Sequence, residues 1–208
     1  MDTRQVDHDL STAPALGRWL LLALLAAIGC GYLAAFAFFV GHSEDFVERQ
    51  IDERVAREVC TQRSALPLQL MLGEGSADLA RLGSGWHAPE ASGIWTRDED
   101  ASLILHVPTE RDLTLDVELR SFVARRHPQV DVELLANGTP LARWETRPGH
   151  DRVDERVRLP RAALGDGCVK LTFRVDSPAS PLSKRAGPDM RRLGVFVSRL
   201  TLAPAEAS

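Results

Sequence analysis

The chain has 208 residues, of which 44% are hydrophobic, 26% charged and 6% aromatic. These proportions are ordinary for one globular domain with an additional segment, and they exclude a disordered or collagen-like chain. The net charge of −4 comes from 29 acidic and 25 basic residues spread along the chain. Because no basic stripe is present, the sequence predicts no nucleic-acid partner.

An uncharged run of mostly Leu, Ala and Phe extends from Trp19 to Val40. As a helix it would span about 33 Å, close to the ~30 Å of hydrocarbon in a bilayer. A cleaved signal peptide is the alternative, because residues 35–37 (Ala-Phe-Ala) resemble a cleavage site, but its apolar core would be only ~7 to 15 residues long. We therefore predict a transmembrane helix over residues 19–41, retained in the lipid bilayer.

Basic residues near the two ends of this run suggest its orientation. Arg18 directly precedes the run, whereas the nearest basic residue on the other side is Arg49. The positive-inside rule then favours a cytoplasmic N-terminal tail over residues 1–18, although the total numbers of basic residues do not decide the matter. Everything that follows the helix is expected to lie outside the cytoplasm.

A charged segment over residues 42–65 follows the apolar run. It reads as a juxtamembrane helix because apolar residues recur at four-residue steps: Val47, Ile51, Val55 and Val59. One interpretation is a helix that rests against its own domain or extends the membrane helix. The other is a face for a partner or a second copy. Leu66-Pro67 marks the end of the helical pattern, because a residue before proline is disfavoured in the α region.

The rest of the chain alternates between apolar and polar residues. Leu113, Leu115, Val117 and Leu119 would share one face of a strand over residues 112–123. Further strands are predicted over residues 103–107, 130–134, 141–144, 153–159, 169–175 and 193–202, and Asn137-Gly138 predicts a tight hairpin. We therefore expect a mainly β fold, an antiparallel jelly-roll-like sandwich over residues 66–203, with a short tail at residues 204–208.

Catalytic and metal-binding motifs are missing from the sequence. It contains no G-x-S-x-G elbow, no H-E-x-x-H helix and no Walker loop, and its six histidines lack metal-ligand spacing. The acidic trio at residues 98–100 is typical of a solvated turn, with a calcium site as the alternative. We expect no cofactor, no metal and no enzymatic activity.

The three cysteines fall into two groups. Cys30 lies in the predicted membrane helix, whereas Cys60 and Cys168 both follow it. A location outside the cytoplasm permits a disulfide between the latter two. Spacing alone does not show whether they meet, so two unrelated buried thiols remain the alternative.

Two loop-like segments carry the most specific residues in the sequence. The first, residues 85–95, fits the pattern G-W-x-x-P-E-x-x-G-x-W. The second, residues 180–194, fits S-P followed by D-x-R-x-L-G, and the N-G hairpin lies between the two segments. This arrangement resembles a β-sandwich domain of unknown function found in bacterial membrane proteins and in glycosyltransferases of surface polysaccharide synthesis. The resemblance covers roughly residues 79–202. It departs from the pattern at Lys184-Arg185 and Gly187, where the family has Leu-Gly and Ser.

The resemblance implies a role with cell-surface glycans, at a bacterial inner membrane with the sandwich in the periplasm. Tryptophan rings suit the C–H faces of a sugar, and carboxylate and guanidinium groups suit its hydroxyls. Because both segments lie beside strands, we expect them to meet at one end of the sandwich. The candidate glycan-binding residues are Trp86, Glu90, Trp95, Asp189 and Arg191. The alternative is a structural plug in which the tryptophans fill the end of the sandwich and the charges form a salt-bridge network.

Three functional hypotheses follow. The preferred one is an accessory or glycan-recognition component of polysaccharide or glycoconjugate assembly, with a membrane glycosyltransferase or transporter as its partner. The second is a purely structural subunit of such a complex. The third is a glycan-active enzyme that uses Glu90 and Asp189 as a carboxylate pair. Partner contact is expected on the small-residue surface of the membrane helix, at Ala27 and Gly31.

Overall fold

The structure, a computed structural model, describes residues 13–206, so most of the predicted N-terminal tail and the last two residues lie outside the described part. A long helix, α1, spans Ala13–Val59. Nine strands follow: β1 Leu68–Met71, β2 Ile94–Trp95, β3 Asp100–His106, β4 Leu113–Ser121, β5 Val130–Ala136, β6 Thr139–Thr146, β7 Arg152–Leu159, β8 Cys168–Val175 and β9 Val195–Pro204. Two short 3-10 helices span Ala77–Arg81 and Arg161–Ala163.

The chain divides into two compact units, one ending at Val47 and one beginning at Glu48. In the first unit, α1 contains a 23-residue apolar segment, Gly17–Phe39, none of which is buried. By length and composition alone this segment is long and apolar enough to cross a membrane, a test that an N-terminal signal sequence also passes.

The second unit contains two antiparallel sheets. The five-stranded sheet has the order β1-β9-β4-β7, with β2 also paired to β9, and the four-stranded sheet has the order β3-β8-β5-β6. The alternating residues of β4 point by turns into the core and outward, as predicted. The prediction of a mainly β, sandwich-like fold is therefore confirmed. The largest fully buried side chains include Leu70, Leu72, Ile94, Leu103, Leu105, Leu113, Leu115, Leu134, Leu159, Leu164, Leu171 and Phe173.

The hairpin predicted at Asn137-Gly138 joins β5 to β6. Both residues have positive φ values, 47° and 80°, the left-handed conformation that Asn and Gly tolerate best. The Asn137 amide also links this turn to its neighbours, since it donates to the Ala163 carbonyl (3.1 Å) and accepts from the Lys170 amide (2.9 Å). The turn is therefore fixed by backbone conformation and by side-chain hydrogen bonds.

The last turns of α1 pack against the sandwich. Val55 and Asp52 are 7% and 9% exposed, whereas Val47 is 54% exposed. A disulfide joins Cys60, just after the helix, to Cys168 at the start of β8, with the two Cα atoms 5.6 Å apart. The C-terminal part of the apolar stripe that begins at Val47 therefore rests on its own domain, as the first interpretation expected.

Several predicted boundaries differ from those observed. The charged segment extends the apolar helix, a form that the first interpretation allowed, because α1 continues without a break to Val59. The helix ends at Val59 and not at residue 65, where the predicted segment ends. The final strand extends to Pro204, one residue into the predicted tail. Strands β1 and β2 were not predicted, because four and two residues are too few for an alternating pattern to be recognised.

Candidate functional site

The two motif segments lie side by side. The first forms a tight hairpin that is closed by bridges between Trp86 and Thr96 and between Glu90 and Gly93. Its second arm is β2, which pairs with the first part of β9. The His87 ring nitrogen Nε2 lies 2.6 Å from the carbonyl oxygen of Arg192, in the segment that leads into β9. The two segments are thus in contact, as their positions beside strands led us to expect.

Two motif glycines allow this close contact. A Cβ atom at Gly93 would collide with the Val197 carbonyl and with the Phe196 ring. A Cβ atom at Gly194 would collide with the hydroxyl of Thr96, which accepts a hydrogen bond from the Val195 amide. Any larger residue would therefore separate the hairpin from β9.

Glu90, Asp189 and Arg191 form an exposed charged cluster where the segments meet. The Nη2 atom of Arg191 lies 3.0 Å from Glu90 Oε1 and 2.8 Å from Asp189 Oδ2. The Arg191 backbone amide also donates to Asp189 (2.9 Å). The three side chains are 38%, 32% and 41% exposed, in sequence order. Hydrogen bonds from the Arg191 side chain and amide lower the pKa of Asp189. The side-chain hydrogen bonds to Asp189 and Glu90 raise the pKa of Arg191, so Asp189 and Arg191 both stay charged at neutral pH.

This arrangement bears on the hypothesis of a glycan-active enzyme. A carboxylate pair that cleaves a glycosidic bond needs one member to carry a proton at the start of the reaction. Here one guanidinium nitrogen contacts both carboxylates, and the pKa of Asp189 is lowered rather than raised. The geometry therefore disfavours Glu90 and Asp189 as an acid and nucleophile pair.

Trp95 does not present the open stacking surface that a sugar ring would need. Its side chain is 8% exposed and packs in a small apolar cluster with Leu193 and Phe196, with Phe122 at the edge. The ring meets Phe196 edge to face with centroids 5.2 Å apart, and the guanidinium carbon of Arg120 lies 5.3 Å from its centroid. The prediction that Trp95 offers a stacking surface to a sugar ring is therefore wrong, because the hairpin folds the Trp95 ring against β9.

Trp86 is also a packing residue. It is half-buried against the main core and meets Phe173 edge to face at 5.8 Å. Its indole N–H donates to the Ser102 carbonyl (2.7 Å), which satisfies its one polar group. The five candidate residues therefore separate into an exposed charged cluster and two tryptophans that pack against the apolar parts of the domain.

Other predicted positions have identifiable surroundings. Asp98 and Asp100 in the acidic trio form ion pairs with Arg97 and Arg174, and among residues 13–206 no group of three His, Cys, Asp or Glu could hold a metal ion. At Gly31 on α1, an added Cβ atom would meet nothing within 4 Å.

Sequence reasoning missed Arg120 and Phe196, although both lie in predicted strands. Only the pairing of β9 with its neighbours shows that they lie against Trp95.

Comparison with known proteins found no matching protein-family model and no matching curated sequence. Solved structures with partial similarity include a ruminal GH26 endo-β-1,4-mannanase (12% identity, TM-score 0.40), a GH115 4-O-methyl-α-glucuronidase (11%, 0.41) and a family 35 carbohydrate binding module from an environmental isolate (8%, 0.33). The aligned regions cover 71%, 70% and 69% of this chain. They cover 28% and 18% of the two enzymes and 92% of the binding module. The fold and site together define a disulfide-linked antiparallel β-sandwich attached to an apolar N-terminal helix.

Proposed function

We propose that the protein is a single-pass protein of a bacterial inner membrane whose sandwich lies in the periplasm. The exposed 23-residue apolar segment supports the membrane location, because such a surface is strongly unfavourable in water. The disulfide between Cys60 and Cys168 supports an oxidising compartment for the sandwich, since such bonds rarely persist in the cytosol.

We further propose that the sandwich is a jelly roll. The first and last strands of the domain, β1 and β9, are neighbours in one sheet, and β3 and β8 are neighbours in the other. Successive strands from β3 to β8 therefore cross from sheet to sheet, except at the β5–β6 hairpin. This order supports a jelly roll, which combines two Greek keys.

The proposed role of the domain is glycan recognition, as an accessory component of polysaccharide or glycoconjugate assembly. The observation that carries this proposal is the exposed cluster of Glu90, Asp189 and Arg191, in which ion pairs join the hairpin to the segment before β9. Charged oxygen and nitrogen atoms in such an arrangement suit the paired hydroxyls of a sugar. The similarity of the motif pattern to domains of surface polysaccharide synthesis fits the same role.

Glycan binding can be tested with the full-length protein in a detergent without a sugar head group, which would otherwise compete. Isothermal titration with bacterial surface oligosaccharides should detect binding that Arg191→Gln weakens by ~10-fold or more. Arg143→Gln is the matched control, because Arg143 forms a comparable exposed ion pair with Asp131 in the other sheet. The proposal fails if no oligosaccharide binds or if both variants weaken binding equally.

A purely structural subunit is the second candidate, favoured by the burial of Trp95. In this case the motif segments would only close the end of the sandwich, and the membrane helix would hold a glycosyltransferase or transporter. Replacing Ala27 and Gly31 by Leu should then release a co-purifying membrane partner without changing the melting temperature of the sandwich. Retention of the partner would place the contact elsewhere.

A further inference from the structure

A row of four side chains crosses the outer face of the five-stranded sheet. Register places Trp95 of β2 opposite Phe196 of β9, Phe196 opposite Arg120 of β4, and Arg120 opposite Arg152 of β7. These residues point outward, because their neighbours Ile94, Leu119, Val153 and Val197 belong to the core between the sheets. The row thus begins with two aromatic rings and ends with two arginines.

The two arginines are an unusual pair for neighbouring strands. Like charges directly opposite each other are unfavourable in a sheet. Neither Arg120 nor Arg152 forms a salt bridge or a side-chain hydrogen bond within residues 13–206. The Arg120 guanidinium carbon lies 4.6 Å from the Phe196 ring centroid, so this side chain extends toward β9 and away from Arg152.

An open depression of about 390 Å³ lies beside the row, and both arginines line it. Glu118 of β4 and Asp154 of β7 are also paired across the strands and line the same depression. Glu118 is bound by Arg199 (3.0 Å), whereas Asp154 has no ion pair in the described part of the chain. The depression therefore has two cations at one side and two carboxylates at the other. Ser92, Ser198 and Phe196 add hydroxyl and aromatic groups to its lining, and Leu119 and Val153 also line it.

We propose that this depression binds a sugar acid, a pyranose with one carboxylate and several free hydroxyls. The proposal rests on the glycan-recognition function and names its ligand class. Arg152 would bind the sugar carboxylate, because a guanidinium group matches carboxylate geometry, and the positive charge of Arg120 on the neighbouring strand would add to the attraction. Glu118 and Asp154 would accept hydrogen bonds from the sugar hydroxyls. The same two carboxylates would repel a densely charged polyanion, so the site selects a single anionic group.

The test uses the full-length protein in a detergent without a sugar head group. Titration compares an oligosaccharide ending in glucuronic acid with one of the same length ending in glucose, and with inorganic phosphate. We expect the acidic sugar to bind at least ~10-fold more tightly than the neutral one, and Arg152→Gln to remove that preference. Arg125→Gln is the matched control, because it removes an exposed arginine that does not line the depression. Arg152→Gln should not lower the melting temperature, because it removes a like charge.

Four results would overturn the proposal. Equal affinity for the acidic and neutral sugars, or an acidic preference that survives Arg152→Gln, would refute this site but leave glycan recognition through Arg191 standing. Competition by inorganic phosphate as strong as by the uronate would indicate a simple anion site. Binding of neither sugar would instead contradict the proposed function itself, together with this inference.

Discussion

Trp95 and Arg191 belong to the same pair of motifs, but their surroundings differ. Trp95 is buried in an aromatic cluster, so Trp95→Ala should lower the free energy of unfolding by about 3 to 5 kcal/mol. Arg191 is 41% exposed, so Arg191→Ala should cost less than about 1 kcal/mol. Denaturant unfolding of the two variants measures the contrast, with Arg143→Ala as an exposed ion-pair control. Equal losses would show that the charged cluster supports the fold as much as the ring does.

Asp52 is the buried charge that attaches α1 to the sandwich. It accepts hydrogen bonds from the Ser84 amide (2.8 Å) and the Ser102 hydroxyl (2.5 Å), and it pairs with Lys170 (3.0 Å). Burial by itself would raise the pKa of Asp52, but these three partners outweigh it and lower the pKa. The ionised form is therefore the one that stabilises the folded state.

This lowered pKa predicts a pH dependence of stability. Because the folded pKa lies below the unfolded value of about 3.9, the contribution of Asp52 is present above about pH 4 and is lost as the pH falls through the folded pKa. Asp52→Asn should cost about 2 to 4 kcal/mol at pH 7 and progressively less below pH 4. Unfolding measured from pH 7 to pH 3 tests this, with Glu53→Gln, at an exposed position of the same helix, as control. A cost that does not change with pH would contradict the assignment.

At the scale of elements, the disulfide holds the end of α1 to β8. It closes a loop with a sequence separation of 108 residues, so its loss should reduce the free energy of unfolding by about 2 to 5 kcal/mol. Replacing Cys60 and Cys168 by Ser together, and unfolding the variant in denaturant, measures this loss. Cys30→Ser serves as the control, because Cys30 lies in the exposed apolar segment and is unpaired. An unchanged unfolding midpoint for the double variant would show that Asp52 and the apolar contacts suffice.

The elements that sequence predicts best are those with a repeated local pattern. The apolar run and the alternation in β4 each extend over nine residues or more, and Asn137-Gly138 has a backbone preference of its own. The role of Asp52 in attaching α1 was not predictable, because Asp52 stands in a charged segment like many solvated residues. Its partners, Ser84 and Ser102, are distant in sequence, and only folding brings them together.

Only part of the candidate site could be predicted from the sequence. Sequence pattern identified Glu90, Asp189 and Arg191, which meet in the structure. The pattern could not distinguish an exposed tryptophan from a buried one, since the packing of Trp95 depends on Phe196 and Arg120 from two other strands. The arginine row was missed for a related reason. Arg120 and Arg152 are opposite each other only because of the register between β4 and β7.

At the scale of the whole molecule, the proposed function needs an apolar helix that anchors a recognition domain in a membrane. The apolar segment is long enough to span a bilayer, and the disulfide and Asp52 attach the C-terminal end of α1 to the sandwich. The charged cluster and the arginine row lie on the sandwich, so the proposed contact with cell-surface glycans needs this domain outside the cytoplasm. The location of the sandwich is therefore the claim on which the rest depends.

Labelling with a membrane-impermeant thiol reagent in intact spheroplasts tests that claim most directly. The Cys30→Ser variant restricts labelling to Cys60 and Cys168, which react only after their disulfide is reduced. If the sandwich lies in the periplasm, the reagent should label Cys60 and Cys168 in intact spheroplasts after reduction, and it should label the protein little before reduction. Labelling that requires lysis of the spheroplasts, together with protection of the sandwich from added protease, would place the domain in the cytoplasm and contradict the account.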